Sequence, residues 1–290
     1  MARVLVTGAA GRQGGAVARL LLERGHEVTG YVRRADAPAA LALAAAGARL
    51  VAGDLADAET LARAAKGVDA VFGLTVPFGD GGLDGEVAQG RALLDAAGDA
   101  QLVYSSVRGA DRAASTVEHV NSKSLIEGYL RDRPGPTTVL APVYFMENAL
   151  NVSFHRLSDG VFATPLSPGT RLDQVTVLDI AAMAAHAVEH PAEMAGRRVE
   201  LASDTVTGTE VAGVLGRLLG RQLPYQVIPA DVIRRRAGEE IAAMFAAFEV
   251  NTDFVDRAAL RAEYPGIGWH SFGDWARTVD WERVLASAGA

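Results

Sequence analysis

Three glycines and three arginines near the start of the chain have the types and spacing to hold a phosphorylated dinucleotide. Gly8, Gly11 and Gly14 form a Gly-x-x-Gly-x-x-Gly ladder inside the string TGAAGRQGG, Thr7 to Gly15, which also carries Arg12 and Gln13. The ladder follows the apolar run Val4–Val6. It opens an amphipathic segment with Val17, Leu20, Leu21 and Leu22, and Gly25 is its stop. A strand that turns sharply into a helix brings free amides and the positive end of the helix dipole to one point, where a diphosphate is favoured. A side chain at Gly8 or Gly11 would obstruct the chain reversal or the phosphate. A glycine triplet alone is weak evidence. The preceding strand, the following helix and a second apolar strand at Glu27–Val32 supply the context the motif needs.

The end of that second strand bears on which dinucleotide is held. A carboxylate there would accept hydrogen bonds from the ribose hydroxyls of NAD. Here Val32 is followed by Arg33 and Arg34. A guanidinium is a planar fork suited to a phosphate dianion. The sequence therefore predicts NADP(H) in preference to NAD(H), with Arg12 and Arg33 on the 2′-phosphate. The plain alternative is that Arg33 and Arg34 are solvated loop charges.

Strands and helices must alternate to position these groups. Candidate strands are Val4–Val6, Glu27–Val32, Arg49–Ala52, Ala70–Leu74, Gln101–Tyr104 and Thr138–Leu140. Candidate helices are Gly14–Arg24, Pro38–Ala46, Ala58–Ala65, Glu86–Ala97 and Ser122–Arg131. This alternation predicts an α/β fold, a doubly wound parallel Rossmann sheet. Right-handed crossovers put the strand C-termini on one rim, where ligands collect. After about residue 150 the loops lengthen. Val175–Val177 reads as a strand, Asp179–Val188 as a helix returning to the main sheet, and Glu200–Ala202 and Tyr225–Ile228 as short strands flanking a helix at Gly208–Leu219. The expected division is a dinucleotide-binding domain over 1–150, with 175–204 returning to it. A smaller interleaved C-terminal α+β substrate lobe would take 151–174 and 205–290.

The 290 residues carry a net charge of −7 and no cysteine. The acidic balance disfavours a direct nucleic-acid surface, and thiol chemistry and disulfides are excluded. Arg234–Arg236 sit beside Glu239 and Glu240 and read as a solvated helix face. No apolar run reaches membrane-span length and the N-terminal run is too short for a signal sequence. The expectation is a cytoplasmic monomer or homodimer acting on a small molecule.

The chain resembles the NmrA-like family of atypical short-chain dehydrogenase/reductases. The wider glycine spacing is the variant seen there. The likeness rests on TGAAGRQGG (Thr7–Gly15), VRR (Val32–Arg34), GDLAD (Gly53–Asp57), GVDAVFGLTVP (Gly67–Pro77), VYSSV (Val103–Val107), HVNSK (His119–Lys123), APVYFMEN (Ala141–Asn148), DIAAMAAHAV (Asp179–Val188) and YPGIGWHSFGDW (Tyr264–Trp275). The resemblance implies that Asp54 and Leu55 border the adenine and that Thr75, Val76 and Pro77 run along the cofactor. It places Ser105 and Ser106 beside the nicotinamide and Lys123 on its ribose. Pro142, Val143, Tyr144 and Phe145 would line the nicotinamide, with Met146–Asn148 on the substrate side. Ala141 departs from the arginine common before that proline.

Typical short-chain dehydrogenases carry Tyr-x-x-x-Lys on a helix, with both side chains on one face. The tyrosine donates a proton and the lysine lowers its pKa. In this chain His119 stands four residues before Lys123. Three readings stay open. His119 is the general acid, since an unperturbed imidazole titrates near 6.5 and is partly protonated near neutrality. Alternatively Lys123, Tyr144 or water delivers the proton. In the third, the protein binds and reports the nucleotide without catalysis and acts on a protein partner. Loss of the tyrosine is least damaging for a quinone-like or conjugated carbonyl acceptor, which takes its proton from solvent.

Other constellations are weaker. His186 and His190 are four apart with no third ligand, and no metal site is expected. Asp80, Asp84 and Glu86 do not match a calcium loop. Their setting among Gly79, Gly81, Gly82 and Gly85 suggests a mobile flap over the cofactor. Ser105 lacks the surroundings of a hydrolase nucleophile.

Overall fold

Residues 1–77, 79, 81–112 and 115–287 are described by the computed structural model. Asp80, part of the weighed calcium set, lies outside the described residues. The chain opens with β1 (Arg3–Thr7), α1 (Arg12–Glu23), β2 (Glu27–Val32), α2 (Pro38–Ala45), β3 (Arg49–Ala52) and α3 (Ala58–Ala65). It continues with β4 (Ala70–Gly73), α4 (Gly82–Ala97), β5 (Gln101–Ser105), α5 (Glu118–Leu130) and β6 (Thr137–Pro142). There follow β7 (Tyr144–Phe145), α6 (Val152–His155), β8 (Phe162–Thr164), β9 (Arg171–Val175), α7 (Val177–Glu189), α8 (Pro191–Met194) and β10 (Arg198–Leu201). The last part holds β11 (Asp204–Thr207), α9 (Gly208–Leu218), β12 (Tyr225–Val227), α10 (Ala230–Ala237), α11 (Glu239–Glu249), α12 (Arg257–Glu263), α13 (Phe272–Arg277) and α14 (Trp281–Ser287).

Two compact units result. The first is Met1–Pro142 with Val177–Leu201; the second is Val143–Thr176 with the chain from Ala202 onward. In the first unit seven strands lie in the order β3-β2-β1-β4-β5-β6-β10, all parallel. This is the doubly wound order, with its reversal between β1 and β4. The strands read as apolar runs because helices cover the sheet. Leu5, Leu61, Leu93, Leu102 and Ile126 are fully buried in one core, and each contributes about 1.5–3 kcal/mol. α1 packs on α7.

The second unit holds a three-stranded sheet, β11-β9-β7, and a pair, β12-β8. Its core gathers Met146, Phe162, Leu215, Phe272, Trp275 and Trp281. Two expectations are corrected. The strand anticipated at Val175–Val177 is Arg171–Val175, and Val177 already begins α7. β9 pairs on both sides, so Asp173 and Gln174 are buried in spite of their polarity. Asp173 is matched by Thr205 Oγ1 at 2.5 Å and the Val255 amide at 2.8 Å. The anticipated flap is also shorter than its glycines suggested: Gly82, Asp84 and Gly85 belong to the first turn of α4. Among the described residues no helix is long and apolar enough to cross a membrane.

Candidate active site

At the switch between β1 and β4 the two strand ends are clamped together. Thr7 Oγ1 donates to the Leu74 carbonyl at 3.1 Å and accepts from the Leu74 amide at 2.9 Å. The glycine turn follows directly. Gly8 has φ 60°, a left-handed conformation that favours glycine. A Cβ on Gly14 would lie 2.5 Å from the Gly8 carbonyl oxygen and 2.6 Å from that of Thr7. Only a bare α-carbon lets α1 start this close to the strand. The start of α1 has no side-chain cap and no acid in its first turn. No side chain at the cap competes for this helix start, and its dipole end favours an anion. Gln13 reaches from this turn to β5, its amide donating to Ser105 Oγ at 2.6 Å.

The arginines divide into different situations. Arg34 is exposed and bonded to Asp36, at 3.2 and 3.3 Å. Arg33, at the end of β2, is exposed and makes no hydrogen bond or ion pair to the described residues. Arg12 is exposed at the first position of α1. Asp54 is exposed after β3, and its carbonyl accepts from Tyr31 at 2.8 Å. Leu55 is buried in the core beside it.

Farther along the same rim lies a buried polar centre. Lys123 Nζ on α5 is 2.7 Å from Thr75 Oγ1, 3.0 Å from Glu86 Oε1, 3.3 Å from the Ser105 carbonyl and 3.4 Å from Tyr104 OH. Thr75 Oγ1 donates to Glu86 Oε1 at 2.7 Å and lies 3.2 Å from Tyr104 OH. Ser122 Oγ donates to the other Glu86 oxygen. Gly90 makes this possible, because a Cβ there would lie 2.5 Å from Ile126. α4 and α5 can then approach, and their first turns bring Glu86 to Ser122 and Lys123. Burial works to lower the Lys123 amine, but Tyr104 and Glu86 outweigh it and hold the amine above its usual value. Burial pushes the Tyr104 phenol up, with Lys123 opposing.

Other expected site residues are placed as follows. His119 is half-buried one turn before Lys123 on α5. Ser106 donates its hydroxyl to Glu127, whose other oxygen holds Arg198 at 3.0 Å and so ties β10 to α5. The amide of Val76 donates to Gln89 at 3.0 Å, and Pro77 is half-buried. Pro142 ends β6, its carbonyl accepting from the Arg108 amide at 3.1 Å. Val143, Tyr144 and Phe145 belong to the second unit, where Tyr144 pairs with Gln174 and Phe145 with Val175. The Tyr144 ring meets Phe245 at 6.1 Å and Phe248 edge-on at 5.9 Å. Burial pushes its phenol well above the usual value, with an Asn148 hydrogen bond opposing. Tyr144 also lines a cavity of ≈ 20 Å³ with His155, Phe162 and Phe245, room for one water. The sequence reading missed Glu86 as a partner of Lys123, and with it Tyr104 and Ser122. The available signal was that Glu86 shares the stripe of Gly90, Leu93, Leu94 and Ala97, all buried on α4.

A family model described as the NmrA-like family matches residues 1–276. The chain belongs to the NmrA-like family. A curated relative of this NmrA-like chain, the NAD(P)H azoreductase of Xenophilus azovorans, is 30% identical over 230 residues, 79% of this chain and 78% of the relative. Solved structures share the fold. The NADPH-dependent quinone oxidoreductase QOR2 of Escherichia coli, complexed with NADPH, is 22% identical with a TM-score of 0.76, covering 99% of this chain and 100% of that one. The triphenylmethane reductase of Citrobacter sp., complexed with NADP(H), is 20% identical with a TM-score of 0.78, covering 96% and 100%. NmrA, a negative transcriptional regulator in complex with NADP, is 22% identical with a TM-score of 0.76, covering 99% and 97%.

Proposed function

We propose that this NmrA-like protein is a cytoplasmic NADPH-dependent reductase of a small quinone-like or conjugated carbonyl acceptor. One observation carries the cofactor reading. The uncapped start of α1, free of acid and approached through Gly14, lies in the same unit as Arg33, which has no partner among the described residues. These residues fit the diphosphate and the 2′-phosphate of NADP(H). When bound, the nicotinamide coenzyme supplies a hydride. The residues of the chain do the rest. Gln13 and Ser105 fix the turn against the end of β5. Lys123 supplies positive charge at the Ser105 carbonyl. Tyr104 is fully buried and so is not a proton donor to an acceptor. His119, Lys123, Tyr144 and water remain the candidate proton sources, which suits an acceptor able to take its proton from solvent.

The second reading is a non-catalytic NADP(H) sensor. It is favoured by the missing tyrosine four residues before Lys123, and by the regulator among the proteins that share the fold. Absorbance of NADPH at 340 nm, followed against a panel of quinones, azo dyes and conjugated carbonyls, separates the two. Steady oxidation with at least one acceptor class supports the reductase. Tight NADPH binding with no turnover on the whole panel supports the sensor.

A further inference from the structure

Glu86 is 1% exposed on the inward stripe of α4, a place where a lone carboxylate is costly. Its oxygens are fully engaged. Oε1 accepts from Thr75 and lies 3.0 Å from Lys123 Nζ, and Oε2 accepts from Ser122. The ammonium is matched in the same way. Its three protons face Thr75 Oγ1, Glu86 Oε1 and the Ser105 carbonyl, with Tyr104 OH nearby. A chain of donors closes the set, since Thr75 can accept from Lys123 and Tyr104 while donating to Glu86.

We propose that Glu86 is the positioning residue for Lys123, holding its side chain as a fixed ammonium beneath the Ser105 carbonyl. Release of a proton from Lys123 would leave the Glu86 carboxylate buried without its countercharge, and the pair resists that loss. The titratable groups facing the amine are Glu86 from α4 and Tyr104 from β5. On α5 itself, His119 and Glu127 lie one turn to either side, with Glu127 engaged by Arg198. Lys123 then works as a constant positive charge at the end of β5, a consequence for turnover that rests on the reductase reading. The coupling between the two side chains does not.

The chain has only two lysines, exposed Lys66 and buried Lys123, so the pair can be read directly. Nuclear magnetic resonance of protein labelled with ¹³C at lysine Cε gives two signals, and Lys66→Arg identifies them. In the whole chain without nucleotide, Lys123 is expected to titrate above the ordinary lysine value. Glu86→Gln is expected to lower the Lys123 midpoint by one unit or more, and Glu86→Asp by a smaller, measurable amount. A midpoint unchanged in Glu86→Gln overturns the proposal. If that variant does not fold, a midpoint unchanged in Glu86→Asp overturns it equally. In turnover, Glu86→Gln is expected to move the alkaline limb of the kcat profile down by the same interval. A protein that binds NADPH and reduces no acceptor fails the reductase reading and leaves the titration to judge the pair.

Discussion

Lys123 in the first unit and His155 in the second are both nitrogen bases withdrawn from water, 6% and 2% exposed, and their surroundings push them in opposite directions. Around Lys123 a carboxylate, two hydroxyls and a carbonyl outweigh desolvation, and the charge is kept. Around His155 stand the rings of Phe154 at 4.9 Å and Phe162 at 4.8 Å. Its Nδ1 donates to the Ala163 carbonyl at 2.9 Å, the Asn148 backbone adds a weaker favourable contact, and Nε2 has no well-formed hydrogen bond among the described residues. Burial then takes its pKa down to about 4, and the ring stays neutral. Equal depth thus gives a permanent cation in one unit and a neutral ring in the other. What decides is the number of oxygens supplied.

The comparison can be broken or sharpened by experiment. The largest effect is expected in the aromatic interior. Phe245 is buried and touches the rings of Tyr144, Phe154 and Phe248. Phe245→Ala is expected to cost about 3–5 kcal/mol in urea unfolding. A cost of a few tenths would mean that the rings do not carry the second unit.

Acid comes next. The folded His155 is less basic than the unfolded one, whose pKa is near 6.5. Its contribution to stability is therefore complete above pH 6.5 and is lost as pH falls toward 4. The loss amounts to about 3 kcal/mol. Urea midpoints measured across that range should fall in the wild type and fall less in His155→Phe. Parallel curves would remove His155 as the cause.

In the glycine turn, Gly14→Ala forces a methyl group against the carbonyls of Gly8 and Thr7. About 1–3 kcal/mol of destabilisation is expected, with NADPH affinity lowered at least tenfold in a fluorescence titration. Of similar size, but confined to the coenzyme, is the choice among arginines. Arg33→Ala should weaken NADPH by about 2 kcal/mol, or roughly thirtyfold, and leave NADH unchanged. Arg34→Ala, which loses only an exposed pair with Asp36, should change NADPH affinity less than about threefold. Equal effects at the two positions would mean that Asp36 does not distinguish them.

The first unit was readable because its central strands are buried and so appear as apolar runs; β2 and the partly exposed edge strand β3 were bounded to the residue. In the second unit β12 was anticipated at Tyr225–Ile228, but β9 was hidden for the opposite reason. β9 carries Arg171, Asp173 and Gln174, and only pairing with β7 and β11 makes it a strand. The glycine ladder was legible because the backbone demands it. Glu86 was placed at the start of a candidate helix and grouped with the flap acids because the glycines ahead of it resemble a hinge, whereas the apolar stripe behind it shows that it points inward. The difference between Arg33 and Arg34 depends on a bond to Asp36 that sequence spacing permits but does not impose.

The most direct test is a calorimetric titration of the wild-type protein with NADPH and with NADH, repeated on Arg33→Asp. The expected result is binding of NADPH at least tenfold tighter than NADH, with that preference lost in the variant. Absence of binding by either coenzyme, or equal affinity for both in the wild type, would contradict a diphosphate cradle whose neighbouring guanidinium selects the phosphorylated form.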